Sequence, residues 1–235
     1  MIKKIDSTIH IGAAEKYITK EFDSFRRFTK GLYPVSEIKN VDMNKIISKF
    51  NLKGFVFGNY VSQVERHYFI FKLEKQMEFL SKIKGNNNIG KGNLIIGFGA
   101  DGKGGSLAHF NPRDLFINLN KGSNVYDSLQ GENSFIHEYA HYLDFAQGRK
   151  DKNINFNFAC EAEYSTDKNT QIFVDFLNIA YQDESYFNKL NTEYLRKKIE
   201  IFARLFESTI QIMVDEDPYY TKYFKNRYSY DRYLK

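Results

Sequence analysis

His137-Glu138-Tyr139-Ala140-His141 is the stretch that decides how the rest of this chain is read. Histidines four residues apart on a helix share one face, and their imidazoles can close on a single metal ion. The carboxylate beside the first histidine adds a base that can take the proton of a metal-activated water, as in zinc-dependent hydrolases. With five His in 235 residues, independent placement produces H-E-x-x-H only about 0.007 times, so the pattern is read as a signal. Its surroundings suit a helix. Gly131, Asn133 and Ser134 offer a turn and an N-cap, Phe135, Ile136, Tyr139, Ala140 and Leu143 an apolar face, and Gly148 a stop. The spacing predicts a buried helix of about four turns. The alternative is a helix with two core-facing histidines and a surface Glu138.

The remainder of the chain is that of a compact globular protein. A content of 42% hydrophobic residues over 235 positions is enough to bury a full core, as one domain or one domain with an extension. The longest apolar stretch, Leu94 to Ala100, is too short to span a bilayer. Asp6, Glu15 and Glu21 surround only a brief apolar patch near the start, unlike a signal peptide. The expected compartment is cytoplasmic, with delivery into a host cell or association with a virion as alternatives. Cys160 is the sole cysteine, which excludes an intrachain disulfide framework and reads as a small buried apolar residue rather than a nucleophile.

Net charge is +5, unevenly spread. Residues 1–93 carry 17 Lys and Arg against 9 Asp and Glu, residues 94–188 carry 7 against 13, and residues 189–235 carry 10 against 7. The motif therefore sits in the acidic third, which favours a cationic peptide over nucleic acid if those charges face a cleft.

Along the chain, residues 1–52 read as a helical N-terminal extension, with a second helix from Val41 to Phe50. Gly54-Phe55-Val56-Phe57-Gly58 reads as a buried strand, Val61 to Lys84 as a long amphipathic helix, and Gly85-Asn86-Asn87-Asn88 as its end. Leu94 to Phe98, Leu107 to Phe110 and Leu115 to Leu119 read as strands. Gly97 to Gly105 lacks the spacing of a phosphate loop and reads as a mobile hairpin. Residues 149–170 are polar and irregular, with helices resuming near Gln171.

Two histidines need a third protein ligand while a position stays open for water and substrate. The metzincin position for that ligand holds Gln147, with Asp144 where the glycine would be, which disfavours that branch. Asp144, three residues after His141, suits a carboxylate that orients a histidine ring. A distant helix should supply the ligand, and the candidate segment is Glu200 to Ser208.

His137 to Asp144 (HEYAHYLD), followed by Glu200 to Ser208 (EIFARLFES), resembles the large polyvalent protein-associated metallopeptidase domains of phages, plasmids and other mobile elements. More distantly it is similar to the catalytic domain of anthrax lethal factor. The resemblance extends to Phe57 through Arg66, to Gly97 through Ala100 and to Ala108 through Phe110, covering roughly residues 53–214. It implies a gluzincin-type site: His137, His141 and Glu200 as zinc ligands, Glu138 as general base and acid, and Tyr194 as hydrogen-bond donor to the oxyanion. Glu207 is the fallback ligand. The alternative for Glu200 is a solvated carboxylate paired with Arg204 at i,i+4.

The expected fold is therefore α/β (α+β) and zincin-like, a small mixed sheet packed on the motif helix with a helical N-terminal extension and a helical C-terminal part. The expected divisions are 1–52, 53–214 and a basic aromatic tail over 215–235. The expected cofactor is Zn2+ and the expected partner a peptide or protein substrate, with no membrane. The strand at Leu107 to Phe110 is read as an edge that pairs with extended substrate, with His109 outside the catalytic set. The competing reading is a non-catalytic, metal-stabilised accessory protein of a phage or plasmid, or a nucleic-acid binder. Tyr219 to Lys235, which interleaves aromatic and basic residues, would serve the latter, although a docking helix or tail is the plainer reading.

Overall fold

The computed structural model describes residues 37–38, 40–99, 108–120, 134–182 and 192–224, without the Leu195 side chain. Most of the expected N-terminal extension, the turn after Gly99, Gly131 and Asn133 of the expected turn and N-cap, and the tail beyond Phe224 lie outside the described residues. Within them the chain is mixed α/β, with six α-helices and a four-stranded mixed sheet. No described helix is long and apolar enough to cross a membrane. The chain forms two compact units. One runs up to Phe135 and includes Asp217–Phe224; the other contains Ile136–Glu216.

In the first unit, helix α1 (Met43–Lys49) is capped by Asp42, whose carboxylate accepts from the backbone N–H groups of Asn44 and Lys45, both at 3.1 Å. Strand β1 (Gly54–Phe57) leads into α2 (Gln63–Lys84) and then β2 (Ile95–Phe98), which pairs parallel to β1. The start of α2 is written in the sequence as Ser62-x-x-Glu65. The Glu65 carboxylate accepts from the Ser62 N–H at 2.8 Å, and the Ser62 hydroxyl accepts from the Glu65 N–H at 3.4 Å. Gly85, at φ 72°, closes the helix in the left-handed conformation that glycine adopts without steric cost.

Strands β3 (Ala108–Asn111) and β4 (Phe116–Leu119) complete the sheet in the order β1-β2-β4-β3. β2 and β4 are parallel, and β3 runs antiparallel at one edge, with Ala108 opposite Leu119. All four residues of β4 are buried, so the strand does not alternate between apolar and polar side chains, and Asn118 is its one polar residue. Phe98 of β2 stacks between Phe57, at 5.7 Å, and Phe69 of α2, at 4.8 Å, joining sheet to helix. At the end of β1 a side chain on Gly58 would drive its Cβ into the Gly99 carbonyl oxygen, so only glycine fits.

Helix α6 (Pro218–Phe224) belongs to this unit and lies on α2. Phe79 meets Tyr220 at 5.1 Å and Phe224 at 5.3 Å, and Lys82 pairs with Asp217 at 2.7 Å. The described start of the aromatic tail is thus a docked helix.

The second unit is helical: α3 (Phe135–Gly148), a 3-10 turn at Ala159–Glu161, α4 (Lys168–Tyr181), a 3-10 turn at Tyr194–Arg196 and α5 (Lys198–Asp215). Its core gathers Ala140, Cys160, Leu177, Ala180, Ile201, Phe202 and Ala203. Phe202 stacks on Phe173 at 5.2 Å and meets Phe176 edge-on at 5.6 Å. Asp167 caps α4 and also accepts from the Gln147 amide at 3.2 Å, tying α3 to the start of α4. Helix resumes at Lys168, a few residues before the expected point, because Asp167 supplies the cap.

Candidate metal centre

Helix α3 presents His137 and His141 from successive turns, with ring centroids 4.9 Å apart. Glu200 lies in the first turn of α5, where the exposed N–H groups of the helix start favour a negative charge. Burial of Ile201, Phe202 and Ala203 in the unit's core fixes that turn and carries Glu200 with it, leaving Glu200 only 4% exposed. Oε2 of Glu200 lies 3.4 Å from Nε2 of His137, and Oε1 lies 3.5 Å from Nε2 of His141. One donor atom from each of the three residues falls within 4.8 Å of the others, the one such group of metal-ligating side chains among the described residues.

The two Glu200 contacts run to different carboxylate oxygens, and the three donor atoms, one from each residue, spread over as much as 4.8 Å. The arrangement is an ion pair when an imidazole is protonated and a set of three donors for a cation when it is not. Among the described residues, Glu200 Oε2 is buried without a hydrogen-bond partner, and a buried lone pair left unsatisfied is costly. Two imidazoles and one carboxylate are the ligand types that zinc takes in catalytic sites. The residues therefore fit zinc.

Electrostatics agree with the geometry. Burial disfavours the imidazolium of His137, but the carboxylates of Glu200 and Glu207 outweigh it and raise its pKa to about 9. Burial also opposes ionisation of Glu200, yet His137, His141 and Tyr194 hold its carboxyl well below the usual range. A proton shared into this cluster occupies the place a cation would take. The solvated-carboxylate alternative for Glu200 fails on burial. Arg204 does approach it, at 3.8 Å, but both side chains are largely enclosed.

The other residues singled out in the sequence divide. Glu138 is buried on α3 and close enough to act electrostatically on both His137 and Tyr194. Tyr194 stands on the 3-10 turn before α5, 55% exposed, and its hydroxyl donates to Glu200 Oε1 at 2.5 Å. Burial and the neighbouring Glu200 push its phenol above the usual range. Glu207, the fallback ligand, approaches the other side of the His137 ring, its Oε2 lying 3.4 Å from Nδ1. Asp144 differs from expectation. It is fully buried and accepts from the Cys160 N–H and the Cys160 thiol, both at 2.8 Å, rather than from a histidine. Cys160 is buried as expected, and burial with the Asp144 charge beside it pushes the thiol pKa far up, so no reactive thiolate forms.

Sequence reasoning missed that Glu207 faces His137. The available signal was the E-x-x-x-R-x-x-E spacing of Glu200, Arg204 and Glu207, which puts three charges on one stripe of an otherwise apolar helix. No protein-family model matches the chain, and no curated protein and no solved structure matches it.

Proposed function

We propose that this chain is a zinc-dependent endopeptidase of the gluzincin type with a zincin-like fold, akin to the metallopeptidase domains of mobile elements that its motifs resemble. The observation that carries the reading is the convergence of His137, His141 and Glu200 from two helices, with Glu138 buried next to the first ligand. Zinc held by those three residues would polarise a peptide carbonyl and bring the pKa of a water to about 7. Glu138 takes the proton of that water as its oxygen bonds to the carbonyl carbon. The same carboxyl then returns the proton to the amide nitrogen as the C–N bond breaks, so acid and base work is done by one side chain. Tyr194, exposed on its turn and reaching the ligand carboxylate, supplies a hydroxyl donor for the oxyanion.

The test combines zinc analysis with peptide-library cleavage by wild type, chelated wild type and Glu138→Gln. Wild type should hold one equivalent of zinc and lose cleavage on chelation. Glu138→Gln should keep the zinc and lose about 10²–10⁴-fold in rate, whereas His141→Ala should lose the metal. Absence of stoichiometric zinc from wild type, or cleavage undiminished in Glu138→Gln, would overturn the proposal.

A further inference from the structure

Glu207 follows Glu200 by seven residues on α5, so both carboxylates occupy the same side of the helix. They bracket one imidazole. Glu200 Oε2 lies 3.4 Å from Nε2 of His137, and Glu207 Oε2 lies 3.4 Å from its Nδ1. An imidazole nitrogen that faces a metal must present a bare lone pair, and the partner of the opposite nitrogen decides which one is bare. A carboxylate can only accept, so Glu207 is satisfied by His137 when the hydrogen sits on Nδ1. That tautomer leaves Nε2 bare, the nitrogen that faces Glu200. His141 makes the contrast: its Nδ1 is buried and has no hydrogen-bond partner among the described residues. The two histidines are therefore supported differently, one by a carboxylate and one by packing.

Resting on the zinc-hydrolase reading above, we propose that Glu207 is a positioning residue: it fixes the Nδ1–H tautomer and ring orientation of His137, and zinc affinity depends on it although it does not touch the metal. Glu207 stands across the ring from the donor cluster, which separates this role from that of a replacement ligand. Its side chain is one-third exposed, so its substitution leaves the core of the unit intact.

The test measures zinc affinity by competition with a chromophoric chelator, for wild type, Glu207→Ala, Glu207→Leu and Glu207→Gln. It is paired with ring 15N spectra of the zinc-loaded proteins. Removal of the acceptor in the Ala and Leu variants should weaken zinc about 10–100-fold. The glutamine carbonyl still accepts from Nδ1–H, so Glu207→Gln should return to within about threefold of wild type. The Nδ1–H signal of His137 should be sharp in wild type and Glu207→Gln and broadened by exchange with solvent in the Ala and Leu variants, while the His141 signals stay in place. General damage to the fold would not spare His141, and two loss variants keep the comparison if one fails to fold. Affinity within twofold of wild type in both loss variants, or Glu207→Gln as weak as they are, overturns the inference. A wild type that binds no zinc overturns instead the reading on which it rests.

Discussion

Asp144 should make folding stability depend on pH in a direction opposite to that of most carboxylates. It is fully buried, and burial lifts its pKa to about 6, only partly opposed by the thiol and backbone N–H of Cys160. The folded value lies above the unfolded one of about 3.9, so the contribution is fully present below that unfolded value and is lost as pH rises through about 6. Linkage with these two values gives a wild type stabilised by about 1.4 kcal/mol at pH 5 relative to pH 8 from this one group. Asp144→Asn removes the ionisation while keeping an acceptor for the Cys160 N–H. Urea unfolding of both proteins, at pH 5 and pH 8 with chelator throughout, cancels every titration they share. The stability gap between wild type and Asp144→Asn should be larger at pH 5 by about 1.4 kcal/mol. A gap that is constant to within about 0.5 kcal/mol, or that widens toward pH 8, would refute the assignment of a raised, burial-dominated pKa.

The metal centre and the capping box give two further expectations. In metal-free protein at pH 7 His137 is protonated, its pKa being raised to about 9, so that term stabilises the fold below about 6.5 and is lost as pH rises through 9. Zinc loading at pH 7 should therefore expel a proton, and apparent affinity should rise with pH toward 9; calorimetry in buffers of different ionisation enthalpy reads this, and an enthalpy independent of buffer would count against it. Ser62→Ala should cost about 1 kcal/mol by opening the start of α2, with Ser62→Thr largely restoring it, as measured by denaturant midpoints; a loss below about 0.3 kcal/mol would mean that the cap contributes little.

How much of this was legible in the sequence depends on the range over which each signal acts. The strands and α2 were readable because their cues are local: glycines around Gly54–Phe57, the apolar spacing from Val61 to Lys84, and Gly85 at the helix end. His137 and His141 were readable for the same reason, since helical spacing alone brings two imidazoles together. Glu200 was reached through resemblance, because nothing in its own segment says which distant helix it meets. Asp144 shows the limit of proximity. Three residues from His141, it seemed destined for a histidine, but the irregular segment ending at Ala159–Glu161 brings Cys160 to it instead. That segment has no periodicity from which its path could be read. Glu207 faces His137 through tertiary structure: the charge stripe of Glu200, Arg204 and Glu207 marks one side of α5 in the sequence but does not say which helix that side meets.

Small side chains stand in the core beside both halves of the donor set, Ala140 one residue before His141 and Ala203 three after Glu200, each without exposed surface. Methyl groups at these positions occupy little of the core, so a larger side chain at Ala140 or Ala203 would have to displace the residues that fix the helix turns bearing His141 and Glu200.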